Sequence, residues 1–283
     1  MRSDKMKVFL SVDMEGATGV TGWAEVNPNK PQYERFRKFL TGDVNAAVEG
    51  AFQAGATEVL INEAHDGMRN ILLEEVDPRA RVITGFEGKK LCMMQGIDDS
   101  FDAVFLVSYH AKAGTDGAIL NHTLTGAIHN FWINGVLVGE SGISAALAGH
   151  YDVPVVLVTG DDKVAGEARD LLGHVETAVV KEGLDRYSAN CLAPKESVER
   201  INKASMSALK NIGKFKPYKV KMPVKIEVEF TSPSTALLAC TIPGVAREGP
   251  RKISYSSENM VKAWEVIWPS IRLGMSAETR ERM

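Results

Sequence analysis

Cysteine is scarce: the chain holds only Cys92, Cys191 and Cys240, far apart and without a CxxC pair, which argues against a disulfide framework and a cysteine-built zinc site. A reducing compartment suits such usage. No apolar run reaches the length of a membrane span, and the opening MRSDKMKVFLSVDMEG has too few apolar residues before Asp13 and Glu15 for a secretory leader. The expected location is therefore the cytoplasm, with no membrane partner. Excess positive charge is also missing: 33 Lys and Arg stand against 36 Asp and Glu, a formal balance of −3, so no field draws a nucleic-acid backbone. Neither GxGxxG nor GxxxxGK(S/T) occurs between a strand and a helix, and no GxSxG elbow appears, so a nucleotide cofactor and an elbow serine get no support.

What is present is an ordinary core-forming composition, 45% hydrophobic and 24% charged over 283 residues, enough for one or two domains. Apolar runs at 7–13 (KVFLSVD), 57–63 (TEVLINE), 80–85 (ARVITG), 102–109 (DAVFLVSY), 153–160 (VPVVLVTG) and 177–180 (TAVV) read as strands. They are near-continuous in Val, Ile and Leu, as strands covered on both faces are, and helical stretches fall between several of them. The predicted fold is α/β: a mostly parallel sheet flanked by helices, Rossmann-like and three-layered. Over 32–54, Phe36, Leu40, Val44, Val48 and Phe52 recur every four residues before Gly55, which predicts a long helix with one buried stripe. Further helices are expected at 141–150 and 162–172, the latter capped by Asp161 or Asp162.

After about residue 194 the pattern changes to a helix over 196–211, the Lys- and Pro-rich GKFKPYKVKMPVK, an alternating KIEVEF at 225–230, short segments near Val245 and Ile253, and a helix over 257–268. This predicts an α/β domain over 1–193 and a smaller α+β unit over 194–283. The Lys-rich stretch reads as a solvated linker or edge strand rather than an anion-binding patch.

Ligands of open α/β sheets bind outside the carboxyl ends of the strands. The first strand ends at Asp13, with Glu15 two residues on; the second runs into Ala64 and His65; the fourth runs into His110. Carboxylates two apart in extended chain face the same side. Together with Glu140, in the Gly-flanked VGESG, they make five oxygen and imidazole ligand types from independent elements, a set suited to zinc where cysteine is absent and large enough for two ions. Taken singly, each has a plainer reading, as a loop histidine or a turn or cap carboxylate. His122, between Asn121 and Thr123, is the acid/base candidate. His129 reads as a partly buried strand residue, His150 and His174 as helix-end residues, the Asp pair in TGDD as a cap, and Cys92 in LCMM as core.

The order SVDMEG, NEAHDG, SYHAKAG, LNHT, VGESG and DVPVVLVTGDD, spread over nearly the whole chain, resembles the D-aminopeptidase family of zinc peptidases, peptidase family M55, also labelled dipeptide transport proteins. The resemblance implies two zinc ions per subunit held by Asp13, Glu15, His65, His110 and Glu140, with Asp13 as the bridge and His122 as the catalytic histidine. Asn121 and Thr123 stand where the family has serines, which bears on substrate preference more than on the role of His122. It also implies a ring-shaped homo-oligomer of stacked five-fold rings, a decamer. The expected function is a zinc-dependent aminopeptidase that hydrolyses the N-terminal peptide bond of short peptides, with a preference for D-residues, through water activated by a dinuclear centre. The rivals are a metal-dependent amidase or deacylase acting on a non-peptide amide, and a non-catalytic dipeptide carrier, which the lack of a leader disfavours.

Overall fold

The computed structural model describes residues 5–88 and 90–280. Its first half runs β1 (Met6–Val12), α1 (Trp23–Val26), α2 (Tyr33–Gln53), β2 (Ala56–Glu63), β3 (Ala80–Ile83), β4 (Ala103–Tyr109), β5 (Ile128–Ile133) and β6 (Val136–Leu137). There follow α3 (Glu140–His150), β7 (Val155–Asp161), α4 (Asp162–Leu172), β8 (Glu176–Asp185), β9 (Ser188–Cys191) and α5 (Pro194–Lys210). The chain closes with β10 (Val224–Phe230), α6 (Pro233–Ala239), β11 (Ala246–Arg247), β12 (Lys252–Ser257) and α7 (Met260–Arg280).

Seven strands form one sheet in the order β3-β2-β1-β4-β7-β8-β9, parallel except for the β8–β9 hairpin at one edge. Its central strands β4 and β7 are buried at every residue, which is why they read as unbroken apolar runs. Side chains alternate across β1: Val8, Leu10 and Val12 join the α2 side of the core, with Phe36, Leu40, Val44 and Val48, while Phe9 joins the α3 side, with Ile143 and Leu147. The strand order reverses between β1 and β4, so their carboxyl ends flank a topological switch point.

A second, antiparallel sheet is ordered β11-β12-β10-β5-β6. In β10 every second residue, Val224, Ile226, Val228 and Phe230, is buried, and the charged ones between are half-exposed, the alternation visible in KIEVEF. Its apolar face packs on α6 and α7, where Trp264 is buried against Phe131. Contacts cross residue 193 in both directions. The β5–β6 hairpin leaves the first part of the chain to pair with β10, whereas α5 lies on α2 in the first layer, with Gly50 against the backbone of Asn202. Strand partners far apart in sequence decide this, and a scan along the chain does not register them.

Two further differences have local causes. The last helix runs beyond Trp268 through Pro269, because burial of Ser270 and Ile271 and the close seat of Gly274 on Thr235 offset the hydrogen bond that proline removes. The strand over 177–180 extends to Asp185 because its outer end pairs with β9 as a polar hairpin without an apolar signature. His129 lies on the exposed face of β5 instead of being partly buried, since Ile128, Phe131 and Ile133 take the inward positions.

Candidate metal centre

Six side chains from five segments meet outside the β1 and β4 ends. Asp13 and Glu15 follow β1, His65 follows β2, His110 follows β4, His122 sits in the loop before β5, and Glu140 is the first residue of α3. Each anchor is local. Gly16 donates its N–H to the Ser108 carbonyl at 2.8 Å, and a Cβ there would stand 1.9 Å from the Tyr109 carbonyl oxygen, so only glycine lets the two strand ends approach. Beside the candidate ligands, Asp66, Met68, Ser108, Leu120 and Leu124 all take positive φ, between 43° and 61°. Such conformations are costly away from glycine and cluster where a structure over-determines a site.

The side chains form two groups, Asp13 with Glu15 and His65, and His110 with His122 and Glu140. His65 Nδ1 lies 2.9 Å from Glu15 Oε2 and 3.6 Å from Asp13 Oδ1. His110 Nε2 lies 3.3 Å from Asp13 Oδ2 and 3.2 Å from Glu140 Oε1. Asp13 thus reaches one group with each oxygen. The other nitrogen of each imidazole meets a backbone carbonyl at 2.9 Å: His65 Nε2 on Val26, His110 Nδ1 on Ala111, His122 Nδ1 on Leu120. A ring that spends its N–H on a carbonyl turns a lone pair toward the carboxylates, which is how histidines are oriented toward metals.

Those lone pairs and carboxylates do not satisfy each other. Asp13 Oδ2, Glu15 Oε2 and His110 Nε2 are buried without a hydrogen bond, a costly state for polar atoms unless a cation sits among them. Protons report the same strain. Burial and the neighbouring Glu15 push Asp13 up to about 7. Burial also opposes charge on Glu15, yet His65 holds that carboxyl well below its usual range. Against the same burial, Glu15 and Asp13 hold His65, and Glu140 and Asp13 hold His110, well above the usual imidazole value. His122 goes the other way, lowered by burial and by His110, on which it stacks at 4.1 Å. Its Nε2 stands 3.9 Å from Glu15 and 3.7 Å from Glu140.

Lys181, absent from the sequence reading, is buried beneath this loop. Its Nζ donates to the carbonyls of Glu15, Ala17 and Val20 at 2.6, 2.8 and 2.7 Å. Three acceptors require three N–H donors, which only the ammonium has; burial pulls its pKa down to about 8, still above neutrality. The signal was a lysine directly after the apolar TAVV in a strand interior. By contrast, Asp161 is spent as the α4 cap, accepting from the Lys163 and Val164 N–H groups, and Cys92 is buried in a short turn over 92–94.

A cavity of about 580 Å³ opens on the cluster, lined by Glu15, His65, His122 and Glu140 together with Trp23, Phe86 and the α7 residues Trp268, Arg272 and Met275. That volume suits a small molecule or short peptide. Fold and site define a doubly wound α/β protein with the donor set of a carboxylate and imidazole metal centre at its switch point. The sequence model of the D-aminopeptidase family matches residues 6–268, and the chain belongs to that family. It is similar to the D-aminopeptidase of Bacillus subtilis (strain 168), 35% identical over 271 residues that cover 95% of this chain and 98% of that one. It is also similar to a solved structure described as the Zn-dependent D-aminopeptidase DppA from Bacillus subtilis, a self-compartmentalizing protease. That match has a TM-score of 0.93 and 34% identity, over 95% of this chain and 98% of the other.

Proposed function

We propose that the protein is a zinc-dependent aminopeptidase that removes the first residue of short peptides, with a preference for D-residues. The observation that carries this is the pair of ligand groups meeting at Asp13, with buried oxygen and nitrogen atoms that no hydrogen bond satisfies. Asp13, Glu15 and His65 would hold one ion, His110 and Glu140 a second, with Asp13 shared. When bound, zinc supplies Lewis acidity for water activation and carbonyl polarisation.

The chain's own part centres on His122. Its Nδ1 faces the Leu120 carbonyl, which fixes the tautomer with the proton on Nδ1 and leaves Nε2 as an acceptor. The lowered pKa keeps that ring neutral, ready to take a proton at Nε2 and pass it to the departing amine. Glu15 and Glu140, both within 4 Å of Nε2, stabilise the imidazolium in between. Trp23 packs edge-on at 5.5 Å and shields the ring from water.

We propose a homo-oligomer of stacked five-fold rings, a decamer, on the family resemblance; the relative described as self-compartmentalizing supports an oligomer. A cytoplasmic location agrees with the scarcity of cysteine and the lack of a CxxC pair, and no described helix is long and apolar enough to cross a membrane. The test combines metal analysis of tag-free protein with cleavage of D- and L-alanyl peptides before and after chelation and zinc add-back. About two zinc ions per chain and chelator-sensitive, D-selective cleavage are expected. Cleavage of N-acyl amides in place of peptides would transfer the protein to the amidases, and stoichiometric binding of intact peptide would make it a carrier.

A further inference from the structure

The cavity carries three carboxylates on its wall, Glu15, Glu140 and Asp66, and among the described lining residues a single fixed positive charge, Arg272. The first two belong to the metal-type cluster. Arg272 comes from α7, which no part of the reaction described above uses. Its guanidinium carbon lies 4.2 Å from the Phe86 ring centroid and 5.9 Å from that of Trp268, and the two rings lie 6.1 Å apart. These rings hold the guanidinium by cation–π attraction and limit its rotation. Neither a carboxylate nor a carbonyl of the described residues accepts from its N–H groups. Arg186, by contrast, donates one N–H to the Asn121 carbonyl.

A planar cation, seated against aromatic rings and with its donors uncommitted, is the usual receptor for a carboxylate. A short peptide has charges at both ends. The peptidase reading places its amino end at the metal-type cluster, and its carboxylate, one or two residues on, needs a cation on the same cavity. Resting on the peptidase reading, we propose that Arg272 is a specificity-determining residue that pairs with the C-terminal carboxylate of the substrate. The substrate class is then di- and tripeptides with a free carboxyl end, preferred over the same peptides as amides. The apolar rings of Phe86 and Trp268 strengthen that pair by excluding water from one side of it.

The test measures kcat and KM of the zinc-loaded enzyme for D-alanyl-D-leucine and for its C-terminal amide, in the wild type, Arg272→Gln and Arg272→Lys. The wild type should prefer the free acid through KM. Arg272→Gln should raise KM for the acid about 10- to 100-fold, the range of a charge-assisted pair, with kcat within about 3-fold and both constants for the amide unchanged. Arg272→Lys should recover part of the loss, since a lysine keeps the charge without the planar fork. Equal KM values for acid and amide in the wild type, or an equal effect of Arg272→Gln on both, would overturn the assignment while leaving the peptidase reading intact. Cleavage of neither compound by the wild type would overturn the peptidase reading, and this proposal with it.

Discussion

The two walls of the cavity are built on different principles. The cluster wall comes from strand ends of the parallel sheet and is held by backbone: Gly16 against Tyr109, three carbonyls on Lys181, a run of positive-φ residues, and imidazoles tied to carbonyls. The α7 wall is held by side-chain packing, Trp264 on Trp268 at 5.7 Å and Phe86 beneath Arg272. Proton and charge chemistry demands atoms fixed to fractions of an ångström, which buried backbone hydrogen bonds provide. Recognition of a peptide's far end tolerates more latitude, which rings packed on and against one helix provide. Changes to the first wall should therefore act on metal and kcat, and changes to the second on KM.

The largest effect is expected from Asp13→Ala, which removes the carboxylate that reaches both groups. Zinc content should fall and turnover should vanish, with elemental analysis and a peptide assay as the check; metal retained at the wild-type level would refute the shared role. His122→Ala comes next: zinc should stay, while kcat drops by about 10²–10⁴ with KM little changed. Lys181→Met keeps the length and apolar packing but abandons three carbonyls. Zinc affinity, measured by chelator competition, should weaken about 10- to 100-fold, as when the support of a metal ligand is lost. Unchanged affinity would show that the Glu15 turn holds itself.

On the other wall, Trp268→Ala should raise KM about 2- to 10-fold by loosening Arg272, with kcat retained. A drop in kcat alone would erase the division between the walls. The smallest effect is a slope. Asp43, which accepts from the Thr18 N–H and hydroxyl beneath the cluster wall, is pushed up by burial to about 6. Its folded pKa exceeds the unfolded value, so its contribution to stability is full below about pH 4 and is lost as pH rises through 6. Urea midpoints at several pH values should shift in favour of Asp43→Asn relative to wild type from pH 4 to 7; parallel curves would mean that Asp43 titrates normally.

The legible parts of the protein share a cause. Strands buried on both faces must be apolar along their length, so β1, β2, β4 and β7 stand out as runs, and the residues just past them, Asp13, Glu15, His65 and His110, are automatically at the edge where ligands bind. His122 and Glu140 were legible through their polar and Gly-flanked contexts. Lys181 was passed over because a charged residue after an apolar run ordinarily marks a strand end, whereas here the acceptors come from residues more than 160 positions away in sequence. Arg272 lay past a proline that reads as a helix stop.

The sequence by itself determined the α/β class, the carboxyl ends of β1, β2 and β4 and the residue types that follow them, because hydrophobic periodicity and residue chemistry are local properties. Tertiary structure alone decided that β5 and β6 join β10 in a second sheet, that α7 continues past Pro269 to form a cavity wall, and that a buried ammonium supports the Glu15 turn. Each of these depends on a partner distant in the chain, whose burial and hydrogen bonds outweigh the local preference of the residues concerned.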